Sequence, residues 1–192
     1  KSITIHNYIK KYVKPTLLYI SRLEFFQSWI DEGEPNVYWL SGFYFTQSFL
    51  TGVLQNYSRK NKFQIDLVGI EFDVTIHETD PGNKVEVGAY IHGIFIEGGR
   101  WNRETKYLDE SMPKILFDQL PIILMTPMMK KDMRELKNDF YESPIYKTSE
   151  RRGVLATTGH SSNFVMFLPL PTARKQTHWI NRGTACLCQL DD

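Results

Sequence analysis

The run DLVGIEFDVTIHETDPGNKVEVGAYIHGIFI, residues 66–96, decides what kind of fold this chain adopts. Val68, Ile70, Phe72 and Val74 alternate with Gly69, Glu71 and Asp73, a period of two that belongs to a half-buried strand. The cluster TDPGNK then supplies turn residues. A second alternation follows, with Val85, Val87, Ala89 and Ile91 on one side and Glu86, Gly88, Tyr90 and His92 on the other. The pair predicts an antiparallel hairpin.

Upstream of residue 63 the period is helical. Tyr19, Leu23, Phe26 and Ile30 recur every three or four residues, with Phe25 and Trp29 widening the stripe, until Gly33 and Pro35 stop it. After WLSG, Phe45, Phe49, Val53 and Tyr57 are each four apart, flanked by Leu50 and Leu54. This helix ends on SRKNK, whose cations suit a helix C-terminus. Downstream, IILM (122–125), SPIYK (143–147), NFVMFL (163–168) and GTACLCQL (183–190) are further strand candidates. KKDMRELKNDF (130–140) predicts a short charged surface helix or loop. The expected class is α+β: helices over 1–62, then an incomplete antiparallel β-barrel of about six strands over 63–192.

Bulk composition narrows the function. The 192 residues carry 23 Lys and Arg against 22 Asp and Glu, a formal charge of +1, which argues against a nucleic-acid partner. No apolar run approaches the ~20 residues a membrane-spanning helix requires, so no membrane partner is expected. The absence of an initiator Met leads us to expect a piece of a longer polypeptide. Cys186 and Cys188, two apart on a strand, would point the same way rather than bridge, which fits a reducing, intracellular setting.

Candidate chemistry is sparse. In TSERRGVLATTGHSSNFV (148–165), His160 and Ser161 are neighbours whose side chains diverge on an extended backbone, and no GxSxG elbow surrounds either serine. A hairpin, with GHSSN as its turn, is the better reading. His77, Glu78 and Asp80 offer metal-ligating atoms but no distant residue completes a site, so a solvated loop is expected. Neither GxxxxGK[ST] nor GxGxxG occurs, so no nucleotide cofactor is expected in this segment. EGGRWN (97–102) predicts a bulge or turn with Trp101 over the core. Arg100, Trp101, Arg151 and Arg152 are the candidate contacts to another protein, because Arg and Trp anchor interfaces.

Several longer blocks carry a resemblance. WLSGFYFTQSFLTGVLQNYSRK (39–60), IHGIFIEGGRWN (91–102), LDESMPK (108–114), SPIYKTSERRGVLATTGHSSNFV (143–165) and WINRGTACLCQLDD (179–192) closely resemble the C-terminal domain of axonemal dynein heavy chains. The resemblance runs in order along nearly the whole sequence. It implies a helical segment followed by an incomplete antiparallel β-barrel, laid across the ring of AAA+ modules of the same heavy chain. It implies a regulatory and structural role in microtubule-based ciliary motility, and no enzyme activity in this segment. ATP and Mg belong, on the same resemblance, to upstream modules. The implied partners are the AAA+ ring and, through the parent complex, light and intermediate chains and microtubules. The implied location is cytoplasmic, in the axoneme of a cilium or flagellum, and an inner-arm type is favoured. Two positions depart from the family pattern: Asn102, where EGARWD is common, and Thr184 with Cys186, expected to soften the last strand. The alternative is a stand-alone β-barrel module that binds a ligand or a protein.

Overall fold

A computed structural model describes residues 14–136, 139–148 and 163–190. It opens with helix α1 (Lys14–Glu32), strand β1 (Val37–Trp39) and helix α2 (Thr46–Asn61). Strands β2 (Val68–Val74), β3 (Ala89–His92), β4 (Phe95–Glu97), β5 (Gly99–Asn102), β6 (Tyr107–Glu110) and β7 (Phe117–Gln119) follow. Then come β8 (Ile123–Met129), β9 (Phe140–Tyr146), β10 (Phe164–Pro171), helix α3 (Gln176–Arg182) and β11 (Ala185–Leu187). The class is α+β.

Among the described residues the strands form three sheets and no closed barrel, so the class holds while the expected incomplete antiparallel barrel of about six strands is not confirmed. The first runs β1-β3-β8-β2, the second β10-β9-β11-β4-β7, and β5 with β6 makes a two-stranded ribbon. Two pairings are parallel, β1 with β3 and β11 with β9, so the sheets are mixed. The expected hairpin between the two alternating runs does not form. β8 lies between them instead, pairing Phe72 with its Met125 on one side and Ala89 with the same Met125 on the other. Local alternation fixes which side chains face the core, but not which strand lies alongside.

The second alternating run is also shorter than its pattern. Residues 85–88 lie outside β3: Gly88, at φ +105, departs from extended backbone and comes so close to β8 that a Cβ there would stand 2.0 Å from the Met125 carbonyl oxygen. β1 interrupts the helical segment and adds Tyr38 to the first sheet, so the helices and the sheet share one core.

That core is built from Ile91, Ile96, Ile123, Met125, Ile145, Leu168, Leu170 and Trp179, all fully buried. The helices seat against it through rings: Phe43 stacks on Phe49 at 4.4 Å, and Trp29 meets Tyr38 edge-on at 5.4 Å. Buried apolar area of this kind is the main stabilising term, about 25 cal/mol per Å² removed from water. Polar ends are matched inside it. Trp179 Nε1 donates to Thr172 Oγ1 at 2.9 Å, and the Tyr141 hydroxyl donates to the Thr184 carbonyl at 2.6 Å.

Candidate interaction surface

β5 alternates as its sequence predicts: Gly99 and Trp101 face in, Arg100 and Asn102 partly out. Trp101 is 3% exposed. Its backbone N–H donates to Asp118 Oδ2 at 2.7 Å, while its indole N–H, though buried, has no acceptor among the described residues. Its ring is therefore part of this domain's own core and offers no face to a partner. Arg100 stands opposite Asp109 on β6 and pairs with it at 3.4 Å. Arg103, next along, reaches Glu78 at 3.0 Å, Asp118 at 3.5 Å and the Gln119 carbonyl at 3.1 Å. Arg151 and Arg152, like His160 and Ser161, lie outside the described residues.

The departures at Asn102 and Thr184 are both accommodated. Asn102 Nδ2 donates to Asp109 at 2.8 Å, and its Oδ1 accepts from the N–H groups of Glu104 and Thr105, closing the β5–β6 turn. Thr184 lies just before β11 (Ala185–Leu187). Its hydroxyl donates to the Gly98 carbonyl at 3.0 Å and links β11 to the turn after β4. Cys186 and Cys188 are free thiols packed inside, and burial pushes each up to about 12. At neutral pH they are uncharged side chains with little nucleophilic character.

The HETD segment is held by ordinary loop contacts. Glu78 pairs with Arg103, and Asp80 accepts from Asn36 and from the Gly82 N–H. Among the described residues no three His, Cys, Asp or Glu side chains converge on one point.

The most conspicuous surface lies away from the Arg and Trp candidates, on α1, which carries two apolar stripes. Phe25 and Trp29 turn inward onto Trp39, Phe43 and Tyr38, and Arg22 on the same side donates to the Ser41 carbonyl at 3.0 Å. The other stripe, Tyr19, Leu23 and Ile30 with Leu17 and Ile20 beside it, faces out: Leu23 is 49% and Ile30 78% exposed. Periodicity reveals the stripe; it does not say whether the domain itself or a neighbour covers it.

A comparison with protein-family descriptions matches residues 11–188 to the C-terminal domain of the dynein heavy chain. The protein belongs to this family. Among curated relatives, this dynein domain is 58% identical over 173 residues to Dynein axonemal heavy chain 3 of Mus musculus and of Homo sapiens. It is 52% identical over 174 residues to Dynein axonemal heavy chain 12 of Homo sapiens. These alignments cover 90% and 91% of the dynein domain but only 4% and 6% of the relatives, so it spans a small part of their length.

Proposed function

We propose that this polypeptide is the C-terminal segment of an axonemal dynein heavy chain, packing on the AAA+ ring of the same heavy chain and modulating microtubule-based ciliary motility. The observation that carries the reading is the outward stripe of α1. Among the described residues Leu17, Tyr19, Ile20, Leu23 and Ile30 are each 43–78% exposed, an apolar-rich outer side interspersed with Glu24, Gln27 and Asp31, although the helix has already seated its inner side. Such faces mark contacts with another surface. The relatives supply one: the matched segment is 4% to 6% of their length, so most of the heavy chain is available to cover it.

On this reading residues 1–62 and 63–192 act together, the helices as the docking edge and the strands as the frame. Arg100, half-exposed on the β5–β6 ribbon, with Arg151 and Arg152, supplies cationic contacts, while Trp101 fixes the ribbon from beneath. ATP and Mg bind upstream modules, and light chains, intermediate chains and microtubules meet the domain only through the parent complex, in the axoneme. This segment performs no chemistry of its own. A contact shifts a motor's conformational equilibrium only if it favours some ring states over others; a preference of about 1–3 kcal/mol changes populations five- to a hundredfold.

The test is Leu23→Asp with Ile30→Asp in a full-length axonemal heavy chain, read by microtubule gliding velocity and ATPase rate. Both side chains are exposed, so the domain's own stability should hold. Altered velocity with an intact domain is expected; wild-type motility from the double variant would refute the packing role.

A further inference from the structure

A cleft of about 500 Å³ opens between the end of α1, the length of α2 and the approach to β3. One wall is aromatic: Trp29, Tyr38 and Phe49 lie in series, with ring centroids 5.4 Å and 5.1 Å apart. Gly52, in the middle of α2, lines the same space, and a Cβ there would meet nothing within 4 Å. Glycine is among the least favourable residues in a helix interior, and any larger side chain at this position would stand in the cleft.

The charged groups at the cleft are Glu34 and Glu86 against Lys60. Glu34 is fixed by a buried donor, the Tyr38 hydroxyl, which holds Oε1. Burial, with Glu34 beside it, raises the Tyr38 phenol well above its ordinary range, so it remains a donor throughout the physiological span. The other carboxylate oxygen, Oε2, faces the Lys84 ammonium at 3.7 Å, with both side chains more than half exposed. So loose an exposed pair contributes little. Its geometry nonetheless shows that an ammonium reaches this oxygen from solvent.

We propose that the cleft binds a lysine- or arginine-bearing peptide segment, its cationic group on Glu34 in place of Lys84 and its stem along the Trp29–Tyr38–Phe49 wall. An aromatic face and a fixed carboxylate both select a cation. The volume falls in the range of sites that enclose ligands larger than one side chain, and Asn56 on the same wall offers an amide to a peptide backbone. Glu34 and Glu86 are balanced in number by Lys60 and Lys84, so the preference for a cation rests on the Tyr38-held Glu34 carboxylate beside the aromatic wall rather than on net charge. The site uses the inner side of α1 and is independent of the outward stripe.

The probe is a fluorescein-labelled peptide, GLKLRG, titrated with the 192-residue protein and followed by anisotropy, with GLELEG as its acidic counterpart. GLKLRG should bind saturably and about tenfold tighter than GLELEG, the scale of a cation–π contact combined with one ion pair. Gly52→Phe, which fills the cleft, should weaken it about tenfold. Glu34→Gln should weaken it about threefold, and Lys84→Met should tighten it two- to threefold by removing an internal competitor, a direction that general loss of structure does not produce. The last two replace exposed side chains and carry the test if the glycine variant does not fold. Equal affinity for the two peptides, or no change in either charge variant, would overturn the proposal. Binding of benzyltrimethylammonium as tightly as GLKLRG would overturn the assignment to a peptide.

Discussion

Three glycines separate backbone strain from steric clash, and the structure sets a different outcome for each on replacement by alanine. Gly52 lies inside α2 with open space around its missing Cβ, so Gly52→Ala should stabilise by up to about 1 kcal/mol through helix propensity alone. Gly82 has φ +75 and equally open surroundings, so Gly82→Ala meets only the dihedral penalty, about 1–2 kcal/mol. Gly88 combines φ +105 with a Cβ that would sit 2.0 Å from the Met125 carbonyl oxygen. That oxygen belongs to β8, which is held on both sides by β2 and β3 and cannot withdraw. The exposed residues 86–88 can swing and relieve part of the overlap. The sum for Gly88→Ala is about 2–4 kcal/mol, from strain and overpacking together. For a domain of this size each kcal/mol moves Tm by about 2–4 °C, so the expected drop is about 5–15 °C. Thermal unfolding followed by far-ultraviolet circular dichroism, with urea midpoints as a second measure, ranks the three variants. A Gly88→Ala protein that melts within a degree of Gly82→Ala would show that residue 88 does not approach β8 so closely.

Two further outcomes follow from the polar contacts. Asn102→Asp keeps the turn acceptor but sets a second carboxylate where an amide now donates to Asp109, so Tm at pH 7 should fall by an amount reflecting about 1 kcal/mol, with most of the loss recovered near pH 4; a variant more stable than wild type at pH 7 would contradict the contact. Cys186 and Cys188 rise from 9.0 to about 12 because burial disfavours the thiolate, and the unfolded protein therefore loses those protons first. Their contribution is complete below about pH 9 and is lost as pH climbs toward 12, so the urea midpoint should decline over that window, less steeply in a Cys186→Ala, Cys188→Ala protein; an identical alkaline slope in the double variant would rule the thiols out as its source.

Much of the secondary structure is written locally. Val68 to Val74 alternate because β2 has one face on the core, and Arg59, Lys60 and Lys62 mark the end of α2, where Lys62 adopts the left-handed cap at φ 58. α3 goes unrecognised in the periodicity although its end signals are present: Arg182 in the last turn and Gly183 at φ 68 just beyond. β1 is three residues long, too short for a period to register. What the sequence does not convey is long-range: β8 enters between β2 and β3 from well downstream of both, and nothing within residues 66–96 encodes that neighbour. At the candidate surface, residue type singles out Arg and Trp, yet the Gly99–Trp101 alternation already places the indole inward. The Tyr19–Leu23–Ile30 stripe is visible as a period, but a core face and a face awaiting a neighbour have the same spacing.

β11 is the latest of the described strands in sequence, yet it lies in the middle of the five-stranded sheet, flanked by β9 on one side and β4 on the other. A ribosome releasing this polypeptide has therefore presented four of that sheet's strands before the one that joins them exists. Until Ala185–Leu187 emerge, β9–β10 and β4–β7 are separate pairs, each with an uncovered edge of the kind that invites wrong partners. Assembly of this half must wait for the synthesis of β11, and a premature stop a few codons before Ala185 would remove the joint rather than trim an edge.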